Sequence, residues 1–305
     1  MRLPAPMLRR LGYACLCQSE KKCSPKGTIL RNASPERLRE LIRVNLDNLS
    51  TVLRFNVDHD VKLFRLSSDL IPFGSHTVNQ IHWWDEFSET LTRLGAYIRN
   101  NDLRVSMHPG QYTVLTSLDP GIVDSAVRDL AYHTRLLDAL GVDTTHKVII
   151  HVGGAYGDKR AAMDRWVAQV HALTENVRAR LIVENDERLF GAEDVLSVSA
   201  EAGVAAIFDV FHHRVYTGGD DTGLADLLRR TFTSWQPERD GIPKIHYSSQ
   251  GVGKRPGAHA EYVEATEFGH FLTLAPPELS FDCMIEAKAK ELAVFRLRER
   301  LSLAA

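Results

Sequence analysis

Short hydrophobic stretches alternate with longer amphipathic ones along almost the whole chain. Eight of the short stretches are rich in β-branched and aromatic residues, as buried parallel strands are. They cover residues 11–17, 62–68, 104–108, 146–154, 180–186, 205–211, 243–249 and 280–287. A stretch with helical periodicity follows each of them. Eight successive βα units predict an α/β fold, a closed (β/α)8 TIM barrel, as the most economical arrangement.

Several helical stretches carry recognisable start or stop residues. Ser34 is predicted to cap the first helix, with Pro35 at the first helical position and Arg37 where a capping box would have glutamate. Gly141 is the predicted end of the third helix. The helices are expected at 35–55, 83–99, 124–140, 159–177, 192–202, 224–233, 260–272 and 288–301. Without an internal Pro-, Gly- or Ser-rich linker, we predict one domain, residues 11–305, after an N-terminal extension, residues 1–10.

Six of the predicted strands end in a side chain that can bind a metal ion. Because all strands of a barrel point their carboxyl ends at one face, these side chains are expected to converge on one pocket. Two further histidines lie in the loops of that face, after the sixth and the seventh strand. The predicted metal ligands are His108, His151, Glu184, Asp209, His212, His246, His259 and Glu286.

One such residue alone is more often a hydrogen-bonded core histidine or a helix-capping carboxylate. Eight at one face favour a metal site, and five imidazoles with three carboxylates exceed the needs of one four-coordinate ion. We therefore predict about two or three divalent ions, with Glu184 and Asp209 on neighbouring strands as bridging ligands. Such clusters are typical of phosphoryl hydrolysis.

Lys244 is the one cationic member of this set. It stands two residues before His246 on the same predicted strand, so both side chains point to the same face. An ammonium beside metal ions is repulsive, which leaves three explanations: a lowered pKa, pairing with a carboxylate, or conversion to a carbamate that would itself bind metal. Pairing with a structural acid lower in the barrel is an equally open interpretation.

Composition and charge exclude several classes of protein. The net charge of −2 argues against a globally basic nucleic-acid binder, although Lys254 and Arg255 in the Gly-rich loop GVGKRPG suggest a local phosphate contact. No apolar run is long enough to span a membrane, and the opening segment lacks the apolar core of a secretory signal. The four cysteines do not form a disulfide framework, so reduced thiols and a cytoplasmic location are expected. No dinucleotide-binding motif follows the first strand, so no nucleotide cofactor is expected.

Two longer motifs carry a specific resemblance. LSSDLIPFGSH and HPGQY, together with LIVENDER, FDVFHH and PKIHYSSQG, resemble the UV damage endonuclease family from about residue 11 to residue 291. This family has a TIM barrel similar to those of endonuclease IV and xylose isomerase. The resemblance implies a metal-dependent DNA repair enzyme that nicks duplex DNA 5′ to cyclobutane pyrimidine dimers and 6-4 photoproducts, leaving a 3′-hydroxyl and a 5′-phosphate. Mn²⁺ is the favoured metal, with Zn²⁺, Co²⁺ or Mg²⁺ as alternatives.

The resemblance also implies roles for individual residues. The family's metal ligands fall on the same eight positions, and its modified lysine falls on Lys244, which with Glu184 is a candidate catalytic residue. Gln111 and Tyr112 are expected to fill the gap left by a flipped damaged dinucleotide. Tyr13 is a second candidate for contact with the lesion, although the family's following asparagine is replaced here by the stretch CLC.

Two other functions remain alternatives at this stage. An abasic-site endonuclease of the endonuclease IV type would use the same barrel and metals. A metal-dependent sugar isomerase or epimerase would need an acid–base pair around a small polyol pocket, and the basic Gly-rich loop argues against it. We expect a monomer that binds double-stranded DNA containing UV photolesions, with no membrane association.

Overall fold

The structure is a computed structural model that describes residues 8–304. Its strands are β1 Leu8–Ala14, β2 Leu63–Arg65, β3 Arg104–Ser106, β4 Val148–His151, β5 Leu181–Glu184, β6 Ala205–Asp209, β7 Lys244–Tyr247 and β8 Phe281–Ile285. All neighbours pair in parallel, in the order β3-β2-β1-β8-β7-β6-β5-β4. A parallel bridge between Met107 and Val148 joins the two ends. The predicted (β/α)8 barrel in a single domain is confirmed.

Helices connect the strands around the outside of the barrel. They are α1 Pro35–Asp58, α2 Trp83–Glu86, α3 Ser88–Asn100, α4 Pro120–Ala139, α5 Lys159–Ala172, α6 Glu175–Arg180, α7 Ala192–Ala202, α8 Val210–Thr217, α9 Leu224–Thr233, α10 Pro237–Asp240, α11 Ala265–Leu274 and α12 Glu291–Ala304. Ser34 caps α1 as predicted, since its hydroxyl accepts a hydrogen bond from the backbone N–H of Arg37 at 3.3 Å. Within residues 8–304, no helix combines the length and the apolar character that a membrane span needs.

Several predicted boundaries differ from the structure. β1 begins at Leu8, so residues 8–10 of the predicted extension belong to the barrel, while residues 1–7 lie outside the described residues. The strand ends at Ala14 because Cys15 has a φ of +69°, which turns the chain out of the sheet. The predicted helix 159–177 is two helices, since Leu173 between them is extended and buried. α8 was not predicted at all.

The inside of the barrel carries charged as well as apolar side chains. Arg104 on β3 and Asp282 on β8 are buried and form an ion pair of 2.9 Å. Because β3 and β8 are not neighbours, this contact crosses the barrel interior. Above it, the Lys244 ammonium on β7 donates to the Ser106 hydroxyl on β3 at 2.9 Å. The predicted metal ligands form the next layer, at the carboxyl ends of the strands.

His146 supports the junction of β3 and β4 at the amino end of the barrel. It is buried, and its Nδ1 accepts a hydrogen bond from the backbone N–H of Val105 at 3.0 Å. Burial, the largest cause, lowers the pKa of His146 to about 4. The ring is therefore neutral in the folded protein at neutral pH.

Because His146 is buried in its neutral form, we expect the protein to lose stability in mild acid. The unfolded chain takes up a proton as the pH falls through about 6.5, whereas folded His146 resists protonation until about pH 4. Because of this one group, the free energy of unfolding should fall by roughly 2 kcal/mol when the pH is lowered from about 7.5 to about 5. The His146→Asn variant keeps a hydrogen-bond acceptor that does not titrate. Its free energy of unfolding should therefore fall by roughly 2 kcal/mol less than that of the wild type over the same pH range. Urea unfolding of both proteins in EDTA measures the difference, and parallel pH profiles would contradict it.

Candidate metal centre and DNA-binding face

The carboxylate of Glu184 lies at the centre of the predicted metal ligands. It ends β5 and is only 1% exposed. Its Oε2 lies 2.8 Å from Nε2 of His108 and 3.8 Å from Nε2 of His151. Its Oε1 lies 2.6 Å from Nδ1 of His246. His151 from the end of β4, His246 from within β7 and His108, two residues after β3, thus meet at one carboxylate, as a bridging ligand requires.

Two overlapping sets of side chains place their ligand atoms close enough to hold metal ions. Within each set, the ligand atoms lie within 4.8 Å of one another. The sets are His108, His151 and Glu184, and Glu184, Asp209, His246 and Glu286. Glu184 belongs to both. His212 and His259 are outside these sets but adjacent, with ring centroids 5.5 Å apart for His151 and His212 and 6.2 Å apart for His212 and His259.

Asp209 caps a helix with one carboxylate oxygen, and its other oxygen lies 3.6 Å from Nδ1 of His212, beyond hydrogen-bond distance. α8 begins at the next residue, and the backbone N–H of His212 donates to Asp209 Oδ1 at 2.7 Å. The side chain of Asn185 accepts from the Asp209 N–H at 2.8 Å and donates to its carbonyl at 3.0 Å. Asp209 Oδ2 is buried with no hydrogen-bond partner among the described residues. Helix cap and metal ligand, two alternatives from sequence, are compatible in one carboxylate.

Backbone carbonyls orient three of the histidines. Each donates from its Nδ1 to one carbonyl, which leaves Nε2 as the ring nitrogen that can bind a metal. The pairs are His108 with Pro109 at 3.0 Å, His212 with Asn185 at 3.0 Å, and His259 with Glu286 at 2.6 Å. Asn185 therefore positions both Asp209 and His212, a role that its place directly after Glu184 did not reveal.

Arg65 is a member of this layer that the sequence analysis missed. It ends β2, is buried, and its Nη2 donates to Oε1 of Glu286 and, at 3.0 Å, to Nε2 of His246. Arginine is not a metal ligand, so the pattern of metal-binding side chains at strand ends did not include it. The sequence signal that could have identified Arg65 is a charged residue at the end of a predicted buried strand.

The charges of the layer act on one another across the pocket. Burial is the largest influence on Glu184 and favours its neutral form, yet His246 and His151 outweigh it and hold the pKa of Glu184 well below its usual range. Burial also works against a charged His212. The surrounding carboxylates, Asp209 foremost, overcome it and raise the pKa of His212 to about 9. Glu184 is therefore held ionised beside cationic neighbours, whereas burial, the largest influence, raises the pKa of Asp209 above its usual value.

The residues present fit divalent cations. Three carboxylates face one guanidinium in this layer, so the side chains carry an excess of negative charge. Asp209 Oδ2 and His151 Nδ1 are buried without hydrogen-bond partners among the described residues. Buried polar atoms of this kind are costly unless a further partner satisfies them. Imidazole nitrogens and carboxylate oxygens together suit ions such as Mn²⁺ and Zn²⁺.

Lys244 lies one layer below the predicted ligands. Its ammonium is buried and donates to Ser106, and no ion pair with an acid is found for it among residues 8–304. Burial, followed by the charges of Arg104 and Arg65, lowers the pKa of Lys244 well below its usual range. Of the explanations considered from sequence, a lowered pKa agrees with these surroundings, while pairing with a structural acid does not.

Tyr13 lies in the core of the protein, whereas a contact with DNA would require it to be at the surface. Its side chain is 0% exposed, its hydroxyl donates to Asn56 Oδ1 at 2.6 Å, and its ring packs on Phe64 with centroids 5.0 Å apart. The prediction that Tyr13 contacts the lesion is therefore wrong for this conformation. The reason is the alternation along β1: Ala14 packs with Leu63 and Met284, so the neighbouring Tyr13 points to the opposite face, towards Asn56 on α1.

Gln111 and Tyr112 are at the tip of a turn at the carboxyl-end face of the barrel, here named the catalytic face because the predicted metal ligands lie on it. The backbone N–H of Thr113 donates to the Gly110 carbonyl at 2.9 Å, which makes the two residues the centre of a β-turn. Both are exposed, and Tyr112 is 68% exposed. The Thr113 hydroxyl anchors the turn to Asp129 at 2.6 Å. The structure thus leaves both side chains accessible to a partner.

Comparison with known proteins identifies the family. The family profile described as UV-endonuclease UvdE matches residues 9–304. The chain belongs to the UV-endonuclease UvdE family. The match reaches from the second residue of β1 to the last helix and includes every predicted metal ligand, so the resemblance found in the sequence is confirmed.

Individual members of the UvdE family and more distant barrels agree with this. The UV DNA damage endonuclease of Clostridium perfringens (strain 13 / Type A) is 35% identical over 287 residues, 94% of this chain and 69% of that protein. The crystal structure of SacUVDE is 33% identical, with a TM-score of 0.89 over 97% of this chain and 98% of that one. Endonuclease IV from Thermus thermophilus has a TM-score of 0.59 at 15% identity, over 96% of this chain and 99% of that one. This last likeness extends to the fold alone.

Proposed function

We propose that this protein is a metal-dependent DNA repair endonuclease that nicks the phosphodiester 5′ to UV photolesions, leaving a 3′-hydroxyl and a 5′-phosphate. The observation that carries the proposal is the buried carboxylate of Glu184 between His108 and His246 in a chain of the UV-endonuclease UvdE family. The eight predicted ligands would hold about two or three divalent ions, with Mn²⁺ favoured. We expect the enzyme to act on cytoplasmic DNA as a monomer.

The chain's own residues prepare the site in three ways. When bound, the ions would polarise the phosphodiester and lower the pKa of water. Glu184 would bridge them, because its two oxygens face different sets of ligands. Arg65 holds Glu286 by a charge-assisted hydrogen bond. We assign the family's modified lysine to Lys244, in the layer directly beneath.

The catalytic face supports a macromolecular substrate rather than a small polyol. Most of the large apolar side chains that are exposed among residues 8–304 lie in loops that follow strands, at that face. They include Leu30, Tyr112, Leu118, Tyr156, Leu189 and Val252. Exposed apolar side chains gathered on one face mark an interaction surface. We assign Gln111 and Tyr112 to the gap that flipped bases leave in the duplex.

Cations on this face differ in how free they are to bind phosphate. Lys159 and Arg160 already pair with acids, at 2.6 Å to Asp194 and 3.0 Å to Glu201. Lys254 and Arg255 are exposed, and no ion pair is found for either within the described part of the chain. We therefore propose Lys254 and Arg255 as the phosphate contacts.

A labelled duplex with a single cyclobutane thymine dimer tests the proposed function. With Mn²⁺ present, we expect one nick, at the phosphodiester on the 5′ side of the dimer, that DNA ligase can reseal, and no nick in the undamaged duplex. EDTA should abolish the activity and added Mn²⁺ restore it, because the carboxylates lose their cations. Equal inactivity on both duplexes with Mn²⁺, Zn²⁺, Co²⁺ and Mg²⁺ would refute the proposal.

An abasic-site endonuclease is the alternative that a shared fold with endonuclease IV suggests. A duplex with a stable abasic analogue at the position of the dimer separates the two activities. Faster nicking of the abasic duplex under single-turnover conditions would replace the proposed substrate with this one.

A further inference from the structure

The loop after β7 folds into a hairpin, residues 250–259, here named the Gly-rich hairpin. Gln250 and His259 form an antiparallel bridge at its base. The side-chain amide of Gln250 donates to the carbonyls of Gly251 at 3.1 Å and Arg255 at 3.0 Å, and it accepts from the N–H of Gly257 at 3.0 Å. One side chain thus ties the two halves together, so the tip is held before any ligand arrives.

Val252 stands at the tip of the Gly-rich hairpin. Its side chain is 97% exposed, more than any other large apolar residue of the described chain. It is a central residue of a β-turn in which the Lys254 N–H donates to the Gly251 carbonyl at 3.0 Å. The next residue, Gly253, has a φ of +67°, the left-handed conformation that a type II turn needs at this place. The turn therefore projects a compact β-branched side chain into solvent.

A single exposed valine is common on protein surfaces, but the position of this one is informative. The base of the hairpin is anchored in the metal layer, because His259 donates to the Glu286 carbonyl at 2.6 Å. Lys254 and Arg255, the two cations proposed to bind phosphate, follow Val252 two and three residues later. A duplex whose backbone enters the metal layer and contacts these cations would meet Val252 as well.

The hairpin also lies across the barrel from the turn that carries Gln111 and Tyr112. That turn follows β3 and the hairpin follows β7, and these two strands are four positions apart around the eight-stranded circle. Elements that follow opposite strands emerge on opposite sides of the mouth of a barrel. The two exposed tips therefore stand on opposite sides of the mouth of the barrel.

We propose that Val252 is a wedge that enters the base stack beside the lesion, opposite the side approached by Gln111 and Tyr112. Apolar side chains inserted at a base step unstack it and kink the duplex. Extruding a damaged dinucleotide requires the stack to open on both sides of it. Lys254 and Arg255 hold the phosphates in register while the rigid hairpin delivers Val252. This inference rests on the proposed function.

The test replaces only the apolar character of the side chain. Val252→Thr keeps the shape, and Val44→Thr makes the same change at an exposed position on α1, away from the catalytic face. The substrate is the thymine-dimer duplex with 2-aminopurine in the base pair next to the dimer, followed by stopped-flow fluorescence and single-turnover nicking. We expect Val252→Thr to lose most of the fluorescence rise that precedes the nick. The half-saturating protein concentration should rise roughly fivefold to tenfold, while Val44→Thr matches the wild type.

The outcomes distinguish the wedge from the proposed function. If the wild type nicks the dimer duplex and Val252→Thr shows the same fluorescence rise and half-saturating concentration, the wedge is refuted and the endonuclease stands. An equal loss of affinity for dimer-containing and undamaged duplexes would also refute it, because Val252 would then be a general contact. If the wild type fails to nick the dimer duplex at all, the proposed function fails and the wedge with it.

Discussion

Replacing Glu184 by glutamine is expected to slow the nicking of UV-damaged duplex by about 1000-fold or more, which corresponds to roughly 4 kcal/mol of transition-state stabilisation. Glutamine keeps the shape of the side chain but loses its charge. Its amide group cannot replace both of the oxygens that lie 2.8 Å from His108 and 2.6 Å from His246. Because Glu184 belongs to both sets of candidate ligands, one substitution weakens the binding of every ion that they hold.

Three measurements on Glu184→Gln separate a metal ligand from a structural residue. We expect less metal per chain by elemental analysis after dialysis, a lower single-turnover rate with Mn²⁺, and unchanged affinity for the thymine-dimer duplex by fluorescence anisotropy. Glu175→Gln is the matched control, because Glu175 is exposed in α6, which leads into the amino end of β5. Full metal content and full turnover in Glu184→Gln would remove this residue from the metal centre.

Replacing Asp240 by asparagine is expected to destabilise the fold by about 3–5 kcal/mol. Asp240 accepts a hydrogen bond from the Lys147 ammonium, and both side chains are buried at the amino end of the barrel. The same carboxylate accepts from Arg239 at 2.8 and 2.9 Å and from the Gln236 N–H at 2.8 Å. Asparagine would leave the buried ammonium without its counter-charge, and a buried charge without a partner is costly.

Urea unfolding at neutral pH measures this loss directly. In a thermal scan it should appear as a drop in Tm of roughly 5–8 °C, with full activity per folded molecule at low temperature. Asp226→Asn provides the control, because Asp226 is exposed and lies 3.5 Å from exposed Arg230, where ion pairs contribute little. If Asp240→Asn were as stable as this control, the Lys147–Asp240 pair would not stabilise the barrel.

Most of the fold could be predicted because its signals are local. Each strand carries its own apolar run, and a helix such as α1 carries its own start in Ser34 and Pro35. The residues at strand ends could be identified for the same reason, since the end of a strand can be recognised without knowing which strands lie beside it. α8 was missed because its eight residues contain two histidines and begin directly after a strand, so no separate apolar period announces it.

The candidate site could be predicted only as a set of residues. Tyr13 follows the same strand pattern as its neighbours, but its ring lies in the core, where it contacts Phe64 and Asn56. Arg65 was missed because its role depends on Glu286 and His246, which are 221 and 181 positions away in the chain. Neither outcome is encoded in the local sequence of these two residues.

By itself, the sequence determined the number of βα units, the strand ends that carry metal-binding side chains and the family. These follow from burial periodicity and from short motifs, which act over a few neighbouring residues. Only the tertiary structure decided that Glu184 contacts both His108 and His246, at separations of 76 and 62 residues. It also decided that one oxygen of Asp209 caps α8 while the other has no hydrogen bond among the described residues. Closing the barrel sets which strands face each other across the interior, and that is a property of all eight strands together.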